Sequence, residues 1–156
     1  MEKSEAARRY WIEPAKLSHV GELARSLRPG DRREIEIAGL APRHAIRSCI
    51  RQSTFARTAF IDGQIAGMIG LAGVLLSDVG EPWMLTTPVV ERLPTFFLRE
   101  ARKGVQDMLA LKPKLEGYVD ADYEAACDFL TALDFRLDDP IPYRGARMRR
   151  FHMERA

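Results

Sequence analysis

Leu115 to Phe135 reads LEGYVDADYEAACDFLTALDF, and two periodicities follow one another within it. Leu115 to Val119 is a short strand, and directly after it Ala126, Phe129, Leu130 and Leu133 recur at helical spacing as one apolar face. Phe135 to Leu137 is a strand again. Upstream, Leu98, Ala101, Val105, Met108 and Leu109 form a helical stripe opposite Arg99, Glu100, Arg102, Lys103, Gln106 and Asp107, and Pro113 ends that helix. Before it, Glu81 to Thr87 is a strand with Trp83 and Leu85 on one face and Met84 and Thr86 on the other. Strand, helix, strand, helix in that order implies parallel pairing through a right-handed crossover.

Further out, Thr58 to Ile61 and Gln64 to Leu71 flank Asp62-Gly63. An Asp-Gly pair between apolar runs predicts a two-residue hairpin, because both central residues of that turn need positive φ. Gly67, Gly70 and Gly73 lie inside the second arm, where glycine marks a bulge or a close backbone approach. Towards the N-terminus, Tyr10 to Ala15 is a short strand, and Ser18 is expected to cap a helix carrying Leu17, Val20, Ala24 and Leu27. Asp31 is expected to cap a short helical turn through Ile37 that Gly39 stops, and Pro42 opens a helix with Ile46, Cys49, Ile50 and Ser53 on one face. Arg147 to Met153 is the closing strand, reached through the turn-rich Asp138-Asp139-Pro140-Ile141-Pro142.

The reading is an α/β fold, one domain over residues 1–156, with a mixed central sheet and helices on both faces. Apolar residues make up 46% and charged residues 29% of the chain, ordinary for a folded domain and unlike a disordered one. Cys49 and Cys127 both fall on expected helices, and no Cys/His cluster accompanies them, so neither a disulfide framework nor a metal site is expected. Met1 to Arg9 is charged and lacks the apolar core of a signal peptide. The longest apolar run, Ile65 to Leu76, is too short for the roughly 20 residues of a membrane-spanning helix. A cytoplasmic protein is expected. Net charge is +2, yet Arg144, Arg147, Arg149, Arg150 and Arg155 crowd the C-terminal end. Such a cluster suits either phosphates or, as favoured here, a solvated edge strand kept soluble by charge.

The element order, together with Tyr123 to Phe135, YEAACDFLTALDF, resembles GNAT-type N-acetyltransferases, whose matching helix and strand follow the pattern N-x-x-A-x-x-[FL]-[LY]-x-x-L-G-F. A closer resemblance is to small GNAT-like proteins of short-tailed bacteriophages. It rests on Arg28 to Glu34 (RPGDRRE), Pro82 to Pro88 (PWMLTTP) with Phe97 to Arg102 (FLREAR), and Tyr118 to Ala121 (YVDA), and spans Tyr10 to Phe151. The chain departs from the family in three places. The loop Val89 to Phe96, VVERLPTF, lacks the glycines that let backbone N–H groups at a helix start hold a pyrophosphate, and Pro94 removes one donor. Tyr123 stands where the family has asparagine and Asp134 where it has glycine. Phe129 or Leu130 replaces a mid-helix tyrosine able to protonate the leaving thiolate.

The resemblance implies acetyl transfer from acetyl-CoA to an amine, without a metal, with the pantetheine laid along Trp83 to Thr87 as a pseudo-strand and a backbone N–H of that strand polarising the thioester. It implies co-substrate contacts at Leu85, Thr86, Thr87, Arg92, Thr95, Phe96 and Arg99. Glu34 is the expected general base; Tyr118, Tyr123 or Tyr143 must replace the missing tyrosine, and Tyr123 is the candidate. Arg28, Asp31, Arg32 and Glu34 would equally serve as a capped, salt-bridged helical turn. The expected setting is a host cell's cytoplasm, with a host protein or small amine as acceptor, a homodimer as the assembly, and neither membrane nor nucleic acid as partner. The competing class is a GNAT-like module that has lost catalysis and acts by occupying a host protein.

Overall fold

Asp62 and Gly63 take φ of 52° and 76° in the computed structural model, the left-handed pair of a type I′ turn, and join β2 (Ser53–Ile61) to β3 (Gln64–Ala72). β1 (Tyr10–Pro14) pairs antiparallel with β2, and β4 (Val79–Thr86) antiparallel with β3. The ladder between β2 and β3 shifts register between Ala59 and Phe60. Gly70 is a place of close approach, since a Cβ there would stand 2.5 Å from the Trp83 ring on the neighbouring strand. The structure describes residues 9–156, so all but Arg9 of the charged stretch that opens the chain lies outside the described residues.

The crossover is as the sequence implies. α4 (Pro94–Leu111) follows β4 after a 3₁₀ turn at Pro88–Arg92, and β5 (Lys114–Asp120) then runs parallel to β4. That pairing holds only at Val79↔Lys114 and Gly80↔Leu115, beyond which the two strands separate. β5 instead pairs along its whole length with β8 (Ala146–Glu154), from Lys114↔Glu154 to Asp120↔Met148. The sheet has the order β1-β2-β3-β4-β5-β8-β6, with β6 at Arg136–Leu137 and β7 (Ile141–Tyr143) also on β8.

β8 is therefore not the edge strand expected from its arginines. The turn Arg144-Gly145, with φ of 46° and 78°, folds β7 back onto it, a pairing hidden in the sequence because Pro140 and Pro142 argue against a strand. The arginines are engaged within the chain. Arg147 meets Asp122 at 2.9 Å, Arg150 meets Glu116 at 2.8 Å and Asp138 at 3.2 Å, Arg149 donates to the Asp138 carbonyl, and Arg144 donates to that of Ala38.

Helices cover both faces. α1 (Val20–Ser26), α2 (Pro29–Ile37) and α3 (Pro42–Gln52) pack over Met68 and Leu85, while α4 and α5 (Glu124–Ala132) pack over Ile69 and Leu71. Alternate residues of β3 thus divide between the two sides. Ser18 is not a cap, because a 3₁₀ turn at Leu17–His19 precedes α1 and carries the chain into the helix. Asp134 adopts φ of 71° and closes α5 in the left-handed conformation otherwise taken by glycine.

The face of α5 departs from expectation. Leu133 is buried, but Phe129 and Leu130 are only half-buried, because they pack against the core on one side and line an open cleft on the other. Leu130→Ala should therefore cost about 1 kcal/mol, below the ~2 to 5 kcal/mol of a filled core position; urea titration of the two proteins measures the difference. Among the described residues no helix is long and apolar enough to cross a membrane, and no three His, Cys, Asp or Glu side chains are grouped as a metal site would require.

Candidate active site

The separation of β4 from β5 opens the sheet, and a cavity of about 340 Å³ passes through the gap. On one side its walls come from α2 and α3, at Glu34, Ile35, Ala45 and Cys49; on the other they come from α4 and α5, at Val105, Met108, Phe129 and Leu130. A second cavity, a channel of about 250 Å³, lies between the start of α4 and α5, lined by Val90, Pro94, Phe97, Ala125 and Phe129. Both touch Asp31, Met84, Ala126 and Phe129, so they meet at the strand residue Met84.

Backbone alternation makes Met84 distinctive. In the β3–β4 ladder the Thr87 N–H bonds Ala66 O at 2.9 Å, and with this register Leu85 and Trp83 exchange hydrogen bonds with Met68 and Gly70. The N–H and C=O of Met84 and Thr86 then point away from β3, into the gap. Those of Thr86 are already engaged, its C=O accepting from Arg28 N at 2.9 Å and its N–H donating to Asp31 Oδ2 at 3.2 Å. Among the described residues, Met84 is the one position of this strand segment whose outward N–H faces the gap without a ladder partner.

Asp31 is buried rather than a helix cap. Its Oδ2 accepts from the N–H and hydroxyl of Thr86 and, at 3.2 Å, from the Tyr123 hydroxyl. Burial raises its carboxyl above the usual range, opposed by the contacts from Thr86, Arg28 and Tyr123. The Tyr123 ring lies over Gly30, where a Cβ would come within 2.4 Å of it, and the Arg28 guanidinium sits 5.6 Å from the ring centre. Burial and the Asp31 charge push the Tyr123 phenol up to about 12, so it carries its proton at neutral pH.

Glu34 lies one helical turn beyond Asp31 and crosses the gap, its Oε1 accepting from the Asp120 N–H at 3.0 Å. Burial raises its carboxyl to about 7, with the Asp31 and Asp120 charges adding and the Asp120 N–H opposing. Glu34 forms no ion pair among the described residues. The neighbouring pair is Arg33 with the buried Asp120 Oδ2, at 2.9 Å but off the hydrogen-bonding direction. The salt-bridged turn that would have explained Glu34 is thus not what surrounds it. Because the folded chain holds the Glu34 proton more tightly than the unfolded chain, this group stabilises fully below about 4.5, and its contribution is lost as pH rises to about 7. The melting temperature should fall across that window, and Glu34→Gln should flatten the fall in a calorimetric pH series.

The other expected site residues divide. Leu85 lines the cavity and Thr86 the channel, but their backbone groups are taken. Thr87 is buried, its hydroxyl donating to Ile65 O at 2.7 Å and capping the 3₁₀ turn through Val89 N, which leaves it no group to offer a ligand. Phe96 is buried against Tyr10, with ring centres 4.0 Å apart. Arg92 pairs with Asp62 at 3.3 Å and Arg99 with Tyr10 at 3.4 Å. With the exposed Thr95, these three stand outside the channel walls. The sequence reading put the polarising N–H on Trp83 to Thr87 without singling out Met84, and weighed Arg28 only as part of a salt-bridged turn. Only the strand assignment hinted at Met84, and nothing local marks the cation that lines the channel.

No protein-family model and no curated protein sequence matches the chain. Solved structures do. A spermidine N-acetyltransferase from Vibrio cholerae in complex with CoA and spermine aligns with a TM-score of 0.66 at 11% identity, over 95% of this chain and 96% of its own. A GNAT-family acetyltransferase from Bacillus anthracis aligns at 0.66 and 8%, covering 92% of each chain. A ribosomal-protein alpha-N-acetyltransferase in complex with coenzyme A aligns at 0.65 and 11%, over 94% of each. At these identities the likeness concerns architecture, and the chain has the fold of the GNAT acetyltransferases.

Proposed function

We propose that the protein transfers the acetyl group of acetyl-CoA to a primary amine. The observation that carries the reading is the meeting of the two cavities at Met84, whose outward N–H faces the gap within the same cavity that Glu34 lines. The apolar channel beside α4 suits pantetheine. The loop Val89 to Phe96 walls that channel at Val90, Glu91 and Pro94 without closing it, while Phe96 turns into the core against Ala59, Ile61 and Ala66. The start of α4 offers the N–H groups of Thr95 and Phe96, with no side-chain cap over them. Arg28, on the channel wall, is a cation suited to the phosphates.

In this reading Glu34 removes a proton from the incoming ammonium, and the neutral nitrogen attacks the thioester carbon. As the C–N bond forms, the carbonyl oxygen gains charge opposite the Met84 N–H. The C–S bond then breaks and the electron pair leaves on sulfur. Tyr123 gives the thiolate its proton and regains one from the nitrogen, leaving amide and free thiol. The resemblance to phage proteins supports action in a host cell, on a host protein or small amine. The competing reading, a module that binds without catalysis, is favoured by Arg28 and Asp31 occupying the backbone groups of Thr86 that a pantetheine pseudo-strand would use.

Titration with acetyl-CoA tests the two. Binding to the folded chain alone should add about 2.7 kcal/mol of stability at a hundred times the dissociation constant. Ala125→Trp, an exposed substitution on the channel wall, should abolish it. Neither heat nor thermal stabilisation at millimolar acetyl-CoA would leave only the module reading.

A further inference from the structure

On the basis of the acetyl-transfer reading, we infer that the acceptor is a small primary amine on an apolar, arylalkyl body, without a carboxylate and without a second ammonium. On the α2 and α3 side the walls of the larger cavity are Ile35, Leu40, Ala45, Cys49, Trp83 and Met148. The charged side chains on these walls are Asp31 and Glu34, both at the gap, and among the described residues no Lys or Arg lines the cavity. Charge is therefore concentrated at the inner end, where a single ammonium would meet it, and the rest of the space is lined by uncharged, mostly apolar side chains.

A carboxylate on the acceptor would be buried there without a cation, and the distal ammonium of a polyamine without an anion. Neither charge would find a counterpart on leaving water. Trp83 is a fixed wall, its indole N–H donating to Ser53 Oγ at 2.7 Å while the ring lies on Gly70. A held ring of this kind suits another aromatic ring in offset or edge contact. The whole cavity, both sides of the gap together, has about 340 Å³, near the lower end of small-molecule sites at about 300 to 1,000 Å³, so its share on the α2 and α3 side suits a free small amine rather than the end of a polypeptide. Leu40 and Tyr118 stand exposed around it.

The test is a calorimetric titration of the full chain with 2-phenylethylamine, phenylalanine, spermidine and a phenylalanyl peptide amide, followed by acetylation assays with each. Phenylethylamine should bind at least about tenfold more tightly than the other three, a margin of about 1.4 kcal/mol. Leu40→Asp, at the exposed rim, should shift the preference towards spermidine, and Cys49→Trp should remove phenylethylamine binding while leaving the acetyl-CoA response intact. Equal or tighter binding of phenylalanine, spermidine or the peptide overturns the inference. Selective phenylethylamine binding without any acetyl-CoA response upholds the preference of the cavity and overturns acetyl transfer. An acetyl-CoA response without discrimination among amines does the reverse.

Discussion

Under the proposed acetyl transfer, Glu34→Gln should lower turnover by about 10²-fold or more while acetyl-CoA affinity changes little, since Glu34 lines the larger cavity and not the channel. The carboxyl is held at about 7 by burial and the nearby carboxylates. As a base it works only when deprotonated, so kcat/KM of the parent protein should rise with pH through about 7. The substituted enzyme, keeping shape but unable to accept the proton, should lose that limb as well as the rate. A full-rate variant with an unchanged pH profile would remove Glu34 from the chemistry, and the Asp120 N–H contact would then be its whole role. Single-turnover kinetics across pH 5 to 9, with acetyl-CoA binding followed separately, distinguish the outcomes.

Leu71→Ala should cost about 2 to 5 kcal/mol, lowering the melting temperature by about 5 to 15 °C for a chain of this size. Leu71 is fully buried in β3, packed with Val105, Met108, Leu115 and Phe151 at the closed end where β4 and β5 still pair. Leu71 itself lies outside the cavity walls, and Gly80 presses so closely that a Cβ on it would stand 2.7 Å from Leu71. The contrast with Leu130 is the point of the experiment. One substitution empties a filled space, while the other only widens a cleft that is already open. Comparable losses at both positions would mean that the gap is closed in solution.

Several elements were legible in the chain because their signals are local. Asp62-Gly63 needs no distant residue to take positive φ, and the stripe from Leu98 to Leu109 declares its buried face by spacing alone. Asp134 held the left-handed position of the family's glycine, as its tolerance for that conformation allows. Glu34 and Tyr123 could be singled out through the resemblance, and the structure brings both to Asp31 at the gap.

What stayed hidden depends on contacts between residues far apart in sequence. Asp31 reads as a helix cap until Thr86, 55 residues on, is seen to donate to it. The arginines of β8 read as solvent-facing until β7 folds back and β5 brings Glu116 beside them. Leu85, Thr86 and Thr87 looked suited to the co-substrate because they end the central strand, yet their backbone groups are taken by β3, Arg28 and Asp31. The sequence by itself determined the main strands and helices, their order and the parallel crossover, though not β7, since periodicity and turn chemistry act within a few residues. Only the tertiary structure decided that β4 and β5 part after two ladder pairs. That separation leaves Met84 facing a cavity, and no local pattern encodes it, because the register of one strand on another is fixed by the packing of everything around both.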